Sequence, residues 1–207
     1  MRLTASLDDA LASRGHVRIL RALDQLSEGL TASAREVARR ASVVHNRASE
    51  ILADLARQGL VDVEHVARSD LYELNREHVL FPVLHSLFAA ERDVPEDLER
   101  FLRRRLRALV RGVEEAYLFG SVARNESRLG SDIDLAVVVP RARSGAADVA
   151  LTRLATEVRR RYGTELSGHV STAPLAKRLK GSTGRGLWRR IKEEGVQLLP
   201  VKGATHA

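Results

Sequence analysis

The segment Ile133–Val139 constrains this chain more than any other, because it is apolar throughout except for Asp134. A run this short and this rich in valine reads as a strand buried on both faces. Such a strand requires covering layers, which points to a small α/β unit with helices against a sheet. A second short strand, Ala116-Tyr117-Leu118-Phe119, runs straight into Gly120-Ser121. The two carboxylates Asp132 and Asp134 sit where the long apolar strand begins.

These pieces have a chemical reading. At the end of a strand, Gly120 permits close approach of backbone to a ligand. Ser121 then begins a helix whose free N–H groups suit phosphate. Its hydroxyl is a further donor, with Arg124 one turn on and Ser131 placed to cap or position the turn before Asp132. Asp132 and Asp134, two residues apart on a strand, emerge on one face. Side by side they repel each other unless a cation lies between them, and hard oxygen donors suit Mg²⁺ completed by water and phosphate. A phosphate cradle opposite a carboxylate pair equips a site for metal-assisted nucleotidyl transfer.

With Gly120-Ser121-Val122-Ala123-Arg124 and Ser131-Asp132-Ile133-Asp134-Leu135 in this order, the chain resembles the DNA polymerase beta-like nucleotidyltransferase superfamily. It is most similar to minimal nucleotidyltransferases, and among these to bacterial proteins that join such a domain to a winged helix. The resemblance implies that Gly120 and Ser121 hold the β- and γ-phosphates of a nucleoside triphosphate, ATP being the expected donor. It implies one or two Mg²⁺ ions on Asp132 and Asp134, and in-line attack by an acceptor hydroxyl on protein, RNA or a small molecule. It also implies an antitoxin-like setting, with a small helical toxin-like protein as partner.

Many such proteins carry a third carboxylate on the next strand, where it activates the acceptor. In this chain that strand is Thr164–Ser171, and the aligned position is Ser167, which can serve neither as a strong base nor as a metal ligand. Glu165 and His169, two residues to either side, are the candidates to stand in, Glu165 first.

The first part of the chain reads differently. Helical spacing runs from His16 to Leu26. Ser33 and Glu36 then form a capping box for a short helix ending near Ala41. A third helix spans about Val44 to Gln58 and stops at Gly59. An alternating strand, Leu60–Val66, a turn at Ala67–Asp70 and a returning strand, Leu71–Leu74, complete the series. Three helices and a hairpin are the order of a winged helix-turn-helix. In that fold Arg35, Arg39, His45, Asn46, Arg47, Ser49 and Arg68 are the candidate DNA-binding residues. DNA is then a partner, and a homodimer the expected state.

The expected architecture is therefore α+β in two domains. It comprises a winged helix-turn-helix at 1–76, a connecting helix at 77–94 and a nucleotidyltransferase-fold domain with a short mixed sheet at 95–207. Within the last of these, Pro95 opens a helix with leucines on one face and Arg100, Arg103, Arg104 and Arg107 on the other. Further helices are expected at 146–161, Pro174–Leu179 and around Trp188, which reads as a core residue, with a glycine-rich connection at Gly181–Gly186.

Charge is split along the chain. Residues 1–94 hold 12 Arg and Lys against 14 Asp and Glu, whereas residues 95–207 hold 22 against 13. The excess suits a polyanionic ligand such as a triphosphate or RNA. No cysteine is present, which excludes disulfides, thiolate metal sites and a cysteine nucleophile. The seven histidines lack metal-ligand spacing. The acidic, interrupted N-terminus is unlike a secretory signal, and no apolar run nears the roughly 20 residues of a membrane span, so the expected location is the cytoplasm.

Overall fold

The computed structural model describes residues 6–66, 69–128, 130–174 and 185–199. The chain is a mixed α+β protein with two small sheets, and it divides into two compact units, Met1–Arg92 and Asp93–Ala207.

In the first unit, a short α1 (Ser6–Ala10) precedes α2 (Arg14–Asp24). Ser13 caps α2 by accepting from the His16 backbone N–H at 3.4 Å. Strand β1 (Ala32–Ser33) leads into α3 (Ala34–Ala41), then α4 (His45–Arg57) and the hairpin β2 (Val61–Val66) and β3 (Ser69–Leu74). β3 lies between β1 and β2, antiparallel to both. The apolar stripes of the helices (Ile19, Leu20, Leu23, Val37, Ile51, Leu52, Leu55) meet Leu60, Tyr72 and Leu74 in one core. The hairpin is tighter than the sequence suggests: Ser69 and Asp70 pair with Val66 and His65 rather than turning. The pairing of β1 with β3 was not legible in two residues of sequence.

The capping box at the start of α3 is half made. Ser33 Oγ accepts from the Glu36 N–H at 3.3 Å, but the Glu36 carboxylate turns to Arg39 and Arg40. Two guanidiniums outcompete one backbone N–H, because hydrogen bonds between ionised partners are the stronger kind.

Pro95 does not open a helix. It lies inside α5 (Phe81–Leu109), a 29-residue helix. Proline removes a single N–H from the ladder. Leu84 and Phe88 on one side and Leu98, Phe101 and Leu102 on the other are each anchored in a core, and they hold both halves helical.

The second unit is built on a four-stranded mixed sheet. β4 (Glu115–Phe119) pairs antiparallel with β5 (Ile133–Val138) and with β7 (Val196–Leu199), and β6 (Leu166–Ser171) lies parallel to β5. β5 is central and almost fully buried, as its composition demands. The helix expected at 146–161 is α7 (Ser144–Tyr162), ended by Gly163 at φ +69°. The helix around Trp188 is α8 (Arg185–Glu194).

Strand parity sorts the side chains into two layers. Leu118, Ile133, Leu135 and Val137 join α5 and α7 in the larger core. Tyr117, Phe119 and Ala136, on the opposite face, receive Trp188 and Ile191 of α8. Trp188 is therefore a core residue, as expected. The helix expected at Pro174–Leu179 and most of the Gly181–Gly186 connection lie outside the described residues. Among the described residues, no helix is long and apolar enough to cross a membrane.

Candidate active site

The site lies where β4 ends and β5 begins, on the sheet face that α8 covers. Gly120 stands at φ +77°, a left-handed conformation that favours glycine. A Cβ built there would overlap the Asp134 carboxylate, whose Cγ would lie 3.1 Å away. A side chain on residue 120 and the acid on residue 134 cannot share this place.

The helix expected after Gly120-Ser121 is one turn long, α6 (Gly120–Ala123). Asn125, at φ +55°, ends it, and the Glu126 N–H closes back onto the Ser121 carbonyl at 2.9 Å. The N–H groups of a first turn have no partner within the helix. Asp132 is exposed and precedes the strand, which starts at Ile133, while Asp134 is half-buried inside it. Ile133, between them, points into the larger core. Ser131 caps the preceding turn, its Oγ accepting from the Arg128 N–H at 2.8 Å. Arg124 ion-pairs with Glu126 and with Glu194 of α8.

Electrostatics single out Asp134. Burial raises its carboxyl above the usual range, and the charge on Asp132 adds to this. His169 and Arg190 oppose the shift. The sheet explains the first of these neighbours: Ser167 is the partner of Asp134 in the β5–β6 register, and His169 that of Ala136. Over the small Ala136 side chain, the His169 and Phe119 rings approach to 5.8 Å.

The structure thus brings together Gly120, Ser121, Asp132, Asp134 and His169. Glu165 lies before β6, exposed, with its carboxylate on Arg159 at 2.7 Å. Sequence reasoning missed Arg190, because nothing in residues 185–194 alone says which strand end that helix covers.

Two carboxylates with no cluster of three His, Cys, Asp or Glu ligands among the described residues form an incomplete cage. That donor set fits Mg²⁺, which keeps waters and takes phosphate oxygens as further ligands.

This order of strand, glycine turn and paired acids has a counterpart among known domains. Residues 98–169 match the nucleotidyltransferase domain family. The match takes in both strands, the glycine turn and both acids. No curated protein matches the chain. Among solved structures, a toxin–antitoxin with AMP-PNP is 20% identical over 50% of this chain and 74% of its own, with a TM-score of 0.36. A mutant of the toxin–antitoxin MntA-HpeT is 22% identical over 50% and 73%, also at 0.36. TrmBL2, an archaeal chromatin protein, is 14% identical over 91% and 76%, at 0.30.

In the first unit, Arg35, His45 and Ser49 line a polar groove of about 630 Å³ with Ser33, Ser69, Asp70 and Tyr72. Asn46 is exposed at the start of α4. Arg39 is drawn to Glu36, and Arg47 to Glu50 at 2.7 Å. Arg68 lies outside the described residues.

Proposed function

We propose that residues 95–207 transfer a nucleoside monophosphate from a triphosphate, ATP first among donors, to a hydroxyl on protein, RNA or a small molecule. The observation that carries this reading is the seating of the Asp134 carboxylate in the space left by Gly120. It keeps the acid pair beside a turn with free N–H groups.

In this reading Asp132 and Asp134 hold one or two Mg²⁺ ions, which supply Lewis-acid stabilisation of charge on the phosphates. Gly120 and Ser121 orient the β- and γ-phosphates, with Ser131 fixing the turn before Asp132. Arg124, held by Glu126 and Glu194, supplies positive charge at the rim. The acceptor oxygen bonds to the α-phosphorus, the bond to the β-phosphate oxygen breaks, and pyrophosphate leaves. The acceptor's proton passes to His169, to Glu165 once released from Arg159, or to water.

The test is transfer of α-labelled ATP with Mg²⁺. Wild type should label an acceptor, and Asp132→Asn with Asp134→Asn should not; transfer by the double variant would refute the site.

A second reading rests on Ser167. With a hydroxyl opposite Asp134 where a third carboxylate would stand, the domain binds nucleotide as a sensor and does not turn it over. Residues 1–76 then act as a DNA-binding winged helix, dimeric on a palindrome. Arg35, His45 and Ser49 face the duplex from their groove, and Arg39, Asn46, Arg47 and Arg68 flank it. Replacing Arg35 or Arg47 by Ala should weaken promoter DNA binding and reduce its dependence on salt. Unchanged binding at every salt concentration would remove this reading.

A further inference from the structure

The C-terminal helix does more than cover the sheet. Trp188 and Ile191 bury its inner side against Tyr117, Phe119 and Ala136. Glu194, in its last turn, reaches Arg124 just past the Gly120 turn. The helix is thereby fastened over the site at two points. Arg190 lies four residues before Glu194, on the same side of the helix.

The basic residues of α8 are not equivalent. Arg189 is exposed and spent on Glu193 at 2.8 Å. Arg190 makes no hydrogen bond or ion pair with any described residue. It is the helix cation whose charge acts on Asp134. An arginine left unpaired beside a carboxylate, without closing on it, is available to a further anion.

We propose that Arg190 is a triphosphate-binding residue, its guanidinium taking the β- and γ-phosphate oxygens of the nucleotide bound at Asp132 and Asp134. This rests on the nucleotide-binding reading above. A planar guanidinium suits two phosphate oxygens at once. The same contact holds the pyrophosphate as it leaves, so Arg190 separates triphosphates from monophosphates. Trp188 and Ile191 position it, and the Arg124–Glu194 pair prevents the helix from turning away.

The experiment measures binding of ATP, AMP and inorganic tripolyphosphate to the full chain with Mg²⁺ by calorimetry, for wild type, Arg190→Ala and Arg190→Lys. In Arg190→Ala, affinity for ATP and tripolyphosphate should fall about 10- to 100-fold while that for AMP is unchanged. Arg190→Lys should recover part of the loss, because it keeps the charge and loses the fork. Wild-type affinity for tripolyphosphate in Arg190→Ala, or an equal fall for ATP and AMP, would overturn the proposal. If wild type binds neither ATP nor tripolyphosphate, the nucleotide reading itself fails. If it binds both and Asp132→Asn with Asp134→Asn has no effect, the acid pair is misassigned and Arg190 with it. Circular dichroism of the variants shows whether α8 is intact, and an exposed arginine is not needed for folding.

Discussion

The Asp134 carboxylate occupies the space that a side chain at Gly120 would need, so these two positions are chosen together although they lie on different elements. The glycine supplies a left-handed turn at the end of β4, and the acid fills the space from β5. The contact links the phosphate-facing turn to the metal-facing strand through one pair of residues.

Gly120→Ala should therefore damage both. The left-handed backbone costs roughly 1–2 kcal/mol for an L-residue, and the new methyl displaces the carboxylate. We expect a lower melting temperature and at least a tenfold loss of Mg²⁺-dependent nucleotide binding. Thermal denaturation reads the first and calorimetry the second.

Asp134→Asn should separate stability from function. The carboxyl of Asp134 is raised by burial and by the nearby Asp132, so its ionised form is disfavoured in the folded, metal-free protein. For an acid with a raised folded-state pKa, stability declines as pH rises from the ordinary value through the raised one. Removing the charge should raise the melting temperature at pH 7 in chelator while abolishing transfer. An unchanged or lower melting temperature would contradict the electrostatic account.

Glu36 has the opposite sign. Arg39 and Arg40 hold its carboxyl at about 2, below the ordinary 4.5. Its contribution is present above the ordinary value and is lost as pH falls through the lowered one. Glu36→Gln should lower the melting temperature at neutral pH, with the difference closing toward pH 2. Because the pair is exposed, added salt should also shrink the difference.

Ser167→Asp places a carboxylate beside Asp134 on the neighbouring strand. If turnover is limited by the lack of a base, this variant should raise labelled transfer about tenfold or more. Its effect should not depend on His169, which His169→Ala in the same background checks.

Arg92 and His85 enclose Asp24, whose side chain is fully buried, at 2.9 and 2.7 Å. Arg92→Ala leaves that carboxylate short of a partner and should cost about 1–3 kcal/mol in chemical denaturation. Arg47→Ala, which breaks only an exposed pair with Glu50, should cost less than about 1 kcal/mol.

Much of the site was legible from local pattern. The spacing of Gly120-Ser121 and Asp132-x-Asp134, the burial of β5 and the Ser33 cap follow from strand parity and from hydrogen bonding within a few residues. Where local rules met competition they failed. Glu36 prefers two arginines to its own backbone, and Pro95 continues a helix because two buried stretches outweigh one missing hydrogen bond. Placing Ser167 opposite Asp134, Glu165 against Arg159 and Arg190 over the acid pair required tertiary structure. Each depends on which apolar face docks where, above all on Trp188 and Ile191 burying against Phe119 and Ala136. Short-range periodicity names the face that must be buried, and only packing decides what covers it.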